Sequence, residues 1–118
     1  MMKADDLRLL TKNYSLRIIR LFRKLPKTTE AQVIGKQLLR SATSVGGQFR
    51  EAYRAKSKAD FISKMTGSLQ ELDESFYWLE LLIEAEIVPK PKLEPLLKET
   101  DELIAIFTSI VKHRKSSS

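Results

Sequence analysis

The sequence predicts an all-α fold, an up-down four-helix bundle, on three observations. Apolar residues recur at steps of three and four along nearly the whole chain, which is the period of one helix face. Prolines and polar clusters cut that pattern into four segments with short connections, as expected of helices that pack side by side. No segment alternates apolar and polar residues as a half-buried strand does. The 118 residues amount to one domain around one core. Helices are expected over about 5–25, 30–55, 58–87 and 92–113.

The first stripe is Leu7, Leu10, Tyr14, Ile18, Leu21 and Leu25, ended by Pro26, which cannot continue the helical hydrogen-bond ladder. The second opens on Thr29-Glu30-Ala31-Gln32, a capping-box pattern with Thr29 as N-cap and Gln32 reaching back. Its stripe is Ile34, Leu38, Ala42, Val45, Phe49 and Ala52. The middle of this helix holds Gly46-Gly47, and each helical Gly costs about 1 kcal/mol relative to Ala. Close approach of another helix is the expected compensation. Ser57 is the expected N-cap of the third helix. Ile62, Met65, Leu69, Leu72, Phe76, Leu79 and Ile83 then form a strict heptad seam, the pattern of bundles and coiled coils. Pro89-Lys90-Pro91 interrupts it. The fourth stripe runs from Leu93 to Val111, with Pro95 expected in the first turn, where a missing N–H is tolerated. The basic, Ser-rich tail after Lys112 is expected to fray. Two long hairpins that pair only in a dimer have the same pattern.

The composition argues against an enzyme. There is no cysteine and a single histidine, His113, so thiol chemistry, a Cys-based zinc site and a His-rich metal site are excluded. Ser41, Ser44 and Ser68 have no histidine on a neighbouring element, and helical serines mostly bond the preceding turn. The carboxylates of the third segment lack the Glu-x-x-His pairs of bundle metal sites. Gly46-Gly47 lacks the spacing of a phosphate loop. No cofactor is implied. Neither a signal peptide nor a membrane span is visible, so a soluble cytoplasmic protein is expected.

Charge carries more information. The net charge is +6. Residues 1–27 carry +6, residues 28–56 +3, residues 57–88 −5 and residues 89–118 +2. A basic half facing outward attracts polyanions. Arg17, Arg20, Arg23, Lys24 and Lys27 lie on the last turns of the first helix and the following loop, and Arg40, Arg50 and Arg54 on the second helix. These are the candidate phosphate contacts of a sequence-independent, salt-sensitive nucleic-acid interface. A solvated surface is the plainer reading of the same charges. Apolar residues also occur off the seams: Leu9 and Leu16 on the first helix, Tyr77, Trp78 and Leu81 on the third. A face of that width marks an interface, so Tyr77, Trp78 and Leu81 are the candidate contacts of a homo-oligomer. Packing of Trp78 and Leu81 within one subunit is the alternative.

One stretch is more specific. Leu39-Arg40-Ser41-Ala42-Thr43-Ser44-Val45-Gly46, Glu51-Ala52, Ser57-Lys58, Asp60-Phe61-Ile62, Lys64-Met65, Leu69, Glu71 and Tyr77-Trp78-Leu79 together resemble a bacterial family of four-helix bundles. Its members include proteins encoded in intervening sequences of large-subunit ribosomal RNA genes. The resemblance covers about residues 38–83. It implies an up-down bundle, a homo-oligomer in the form of a five-subunit ring, and no catalytic activity. Relatives include the accessory protein of diversity-generating retroelements, which looks like a basic pentamer that binds reverse transcriptase and nucleic acid. The chain departs from the family pattern at Gly47-Gln48, where Asn is usual, at Phe49-Arg50 and at Thr66-Gly67-Ser68.

The expected function is therefore binding of RNA or DNA, structured RNA first, by a non-enzymatic oligomer with a basic face. The alternative is a scaffold for a protein client such as a reverse transcriptase or a ribosome-associated factor.

Overall fold

The computed structural model describes residues 2–117. Four α-helices follow one another: α1 Ala4–Lys24, α2 Thr29–Ala52, α3 Lys58–Glu84 and α4 Lys90–Ser116. Among the described residues there is no strand. Consecutive helices pack side by side, α1 on α2, α2 on α3, α3 on α4. The bundle closes where Tyr14 Oη of α1 meets Thr100 Oγ1 of α4 at 2.7 Å, flanked by the Arg17–Glu99 ion pair. Each helix thus has two neighbours, which puts α1 and α3 on one diagonal of the cross-section, and the resulting rod measures 50 × 22 × 20 Å.

Each helix starts and stops for a local reason. At α2 the cap is Thr28, one residue before the expected Thr29. Its hydroxyl accepts the Ala31 N–H at 3.4 Å, and Gln32 Nε2 donates to the Pro26 carbonyl at 2.9 Å instead of reaching back to the cap. Ser57 caps α3 as expected, accepting the Asp60 N–H at 3.1 Å. At the end of α3, Glu86 takes φ 58°. Its N–H bonds the Ile83 carbonyl, and that of Ile87 bonds Leu82, both at 2.9 Å. This is the paired closure that usually places Gly at the left-handed position. Because α4 begins at Lys90, Pro95 falls in its second turn, not its first. Pro95 is exposed, so water can reach the carbonyl its missing N–H leaves free. The helix also continues through the expected fraying tail to Ser116.

The core follows the stripes, with one rotation. Tyr14, Phe49 and Phe107 are its largest fully buried side chains, and Phe49 and Phe107 stack with centroids 5.6 Å apart. On α3 the buried line is Met65, Ser68, Leu72, Ser75, Leu79 and Leu82. Ile62, Leu69, Phe76 and Ile83, expected in the seam, are only half-buried. Small residues bring α3 against α2. Ser41 Oγ and Ser75 Oγ are 2.8 Å apart, and Ser68 Oγ donates to the Val45 carbonyl at 2.7 Å. Such bonds are short enough to need near backbone contact, and they leave no buried hydroxyl unpaired.

The close approach expected at the two α2 glycines holds for one of them. A Cβ at Gly46 would stand 3.2 Å from Thr11 Oγ1 of α1, whereas at Gly47 it would meet nothing within 4 Å.

Candidate nucleic-acid interface

The structure divides the predicted phosphate contacts into three groups. Arg17 and Arg40 are neutralised within the chain. Arg17 pairs with Glu99 of α4. Arg40 reaches across to α3, where its guanidinium meets Glu71 at 3.2 Å and Glu74 at 2.7 Å. These pairs clip α1 to α4 and α2 to α3, and a phosphate would have to displace a carboxylate to use either arginine.

The second group lies at the end of the rod formed by the α1–α2 loop. Arg20, Arg23, Lys24 and Lys27 are all exposed there. Arg17, Arg20 and Lys24 line a groove of about 420 Å³ with Lys92 from the start of α4. The apolar floor of that groove is Leu21, Leu93 and Leu96.

Arg50 and Arg54 form the third group, at the opposite end. Some 20 helical residues separate this end from the first along α2, which at about 1.5 Å per residue is about 30 Å. Arg20, Arg23, Lys24 and Lys27 thus lie near one end of the rod and Arg54 near the other, while Arg50 shares a groove between α1 and α2 with Lys12.

The second end is the richer, and the sequence alone did not reveal why. The α2–α3 connection supplies Arg54, Lys56 and Lys58, and the last turns of α4 arrive beside it with Lys112, His113, Arg114 and Lys115. Lys58 Nζ fastens the two elements, donating to the Lys115 carbonyl at 3.3 Å and to the Ser117 carbonyl. This contact carries the basic tail as ordered helix. Among the described residues, none of Arg54, Lys56, Lys58, Lys112, Arg114 and Lys115 pairs with a carboxylate. Of the acids at this end, Glu51 pairs with Lys64 at 3.4 Å, Asp5 with Arg8 at 3.9 Å, Asp6 accepts the Lys3 N–H, and Asp60 lies in the first turn of α3.

The same end carries a run of aromatic rings. Phe49 and Tyr53 have centroids 4.7 Å apart, Tyr53 and Phe61 5.2 Å, and the Arg114 guanidinium lies 5.5 Å above the Phe61 ring. Tyr53 is 40% exposed, and burial of the rest of the ring raises its phenol above the usual 10. Tyr53, Phe61, Ile110, His113 and Arg114 line a cleft of about 350 Å³.

The predicted self-contact residues also separate. Tyr77 is 52% exposed, with its ring edge-on to Trp78 at 5.0 Å. Leu81 is half-buried. Trp78, expected to point away from the seam, is turned inward and packs against the core, with its indole N–H buried and unbonded. Its position is intermediate between seam and surface because it lies about 90° around the helix from the core direction, on the side of α2. Leu9 on α1 is 59% exposed and Leu16 37%, both opposite the core line of that helix.

Among the described residues, no cluster of three or more His, Cys, Asp or Glu is placed to hold a metal ion, and no helix is long and apolar enough to cross a membrane.

No curated protein sequence matches the chain. The fold is similar to the crystal structure of a protein of unknown function from the S23 ribosomal protein family of Bacteroides thetaiotaomicron VPI-5482. The two share 37% identity over 94% of this chain and 99% of the other, with a TM-score of 0.87. The family model described as 23S rRNA-intervening sequence protein matches residues 7–109, which takes in all but the ends of the four helices described above. The chain belongs to the 23S rRNA-intervening sequence protein family.

Proposed function

We propose that this protein is a non-enzymatic, self-associating helical bundle that binds RNA through the basic ends of its rod. The observation that carries the reading is the cluster at the α2–α3 end. Six Lys and Arg residues lie there on two adjoining segments, with no carboxylate partner among the described residues. Charges spent on stability are paired, as Arg17 and Arg40 are. Unpaired cations held side by side repel one another, and a polyanion relieves that repulsion. Lys24 and Lys27 give the other end the same character. The family's occurrence in intervening sequences of ribosomal RNA genes makes RNA the first polyanion to test.

Self-association is supported by a complementarity across the diagonal of the bundle. The outer face of α1 carries Leu9 and Leu16 with Lys12, Arg20 and Arg23, and that of α3 carries Tyr77 and Leu81 with Asp73, Glu80 and Glu84. Basic-apolar against acidic-apolar on opposite sides of one subunit favours a head-to-tail contact, which closes into a ring when the rotation between neighbours allows it. The five-subunit ring implied by the family resemblance is of this kind.

The test is binding of the purified protein to fluorescently labelled RNA across a salt series. Log affinity should fall linearly with log salt, losing about 0.7 of slope for each single-strand phosphate contact removed by mutation. Absence of binding at 50 mM salt would overturn the reading, and protein clients would then be the partners to seek.

A further inference from the structure

We infer that the cleft at the α2–α3 end takes an unpaired RNA base, stacked on Tyr53, with the flanking phosphates on Arg54, Lys56 and Arg114. This rests on the RNA-binding reading and adds to it a place, a strandedness and a contact that phosphate attraction alone does not supply.

Three observations meet at this point. The cleft measures about 350 Å³, at the lower end of the range for small-molecule sites and ample for one nucleobase. Its wall is apolar, with Tyr53 and Phe61 beside Met2, Ala52, Ala55 and Ile110. Tyr53 leans on Phe49 and Phe61, and Phe49 stacks in turn on the buried Phe107. The exposed ring is thus the outermost of a run of aromatic rings rooted in the core, braced on two sides. Arg114 lines the cleft and lies over Phe61, Arg54 and Lys56 alternate along the chain with its lining residues Tyr53, Ala55 and Ser57, and Lys58 fastens the end of α4 beside them.

An aromatic platform ringed by unpaired Lys and Arg is the combination that binds single strands, because every base has a π-face and every nucleotide a phosphate. An apolar protein side chain would fit the wall but would leave the rim charges unanswered. Duplex RNA would satisfy the rim but keeps its bases stacked inside the helix, out of reach of Tyr53.

The experiment compares a labelled 12-nucleotide single strand with a duplex of the same sequence, against wild-type protein, Tyr53→Leu and Tyr53→Phe. The inference predicts that Tyr53→Leu loses about tenfold in single-strand affinity with duplex affinity unchanged, while Tyr53→Phe keeps both. Equal single-strand affinity for Tyr53→Leu and wild type overturns the stacking site while leaving salt-dependent RNA binding intact. Failure of wild type to bind either RNA overturns both. Circular dichroism checks that the variants are folded. A second arm uses only wild-type protein. Photo-crosslinking with 5-iodouridine in the single strand should modify the peptide that contains Tyr53, and modification confined to residues 20–27 would overturn the assignment.

Discussion

Tyr14 is buried between α1 and α4, and its hydroxyl is held 2.7 Å from Thr100 Oγ1. Burial pushes its phenol up to about 12 from the usual 10. The folded protein therefore keeps the proton through a range in which the unfolded chain has lost it. Stability from this group is complete below pH 10 and is lost as pH climbs from 10 toward 12. Urea unfolding at pH 8 and pH 11 checks this. Tyr14→Phe should cost about 1 kcal/mol at pH 8 for the missing hydrogen bond and show a smaller loss between the two pH values than wild type. A loss equal to the wild type's would mean that other groups set the alkaline limit. The ion pairs show what single residues conceal in a sequence. Arg17 and Arg40 read as free cations because their partners lie far along the chain, Glu99 after 82 residues and Glu71 after 31. His113 and Arg114 read as part of a fraying end because the Lys58 contact that orders them is equally remote.

The helices themselves were legible, since periodicity, proline stops and the Ser57 cap are local signals. Their limits moved by at most three residues, and the start of α3 not at all. The α3 register was less legible. Reading only large apolar residues selects Leu69 and Phe76, whereas the helix buries Ser68 and Ser75. Close packing on α2 needs small side chains whose hydroxyls find partners across the contact, and the seven-residue step from Ser68 to Ser75 was the available clue. In α2, Gly46 and Gly47 read alike in sequence and differ in space. Gly47→Ala meets nothing within 4 Å, so it should recover up to about 1 kcal/mol of helix propensity. The urea midpoint should rise with an unchanged denaturant slope. Gly46→Ala should gain less, because Thr11 Oγ1 must move. Equal gains would contradict the close approach of α1 to α2.

At the scale of the whole molecule, the charge of the first half of the chain was legible, but its placement was not. The antiparallel topology sends the end of α1 and the end of α2 to opposite ends of a 50 Å rod, and it adds the last turns of α4 to one of them. The head-to-tail contact between α1 and α3 faces is tested by light scattering. A 13.6 kDa chain should give a mass several times that value. Replacing Tyr77 and Leu81 with Ser should lower the mass without loss of helical circular dichroism, and an unchanged mass would remove α3 from the interface. The account's central claim, that the α2–α3 end is an RNA-binding surface, is tested most directly by two charge reversals compared across a salt series. Arg54, Lys56 and Arg114 are changed to Glu in one protein, and Arg20, Arg23 and Lys24 in the other. The first triple should lose most of the RNA affinity and flatten the salt slope by about 2, at about 0.7 per phosphate contact, while the second should lose less. Wild-type affinity and slope in the first triple would contradict it.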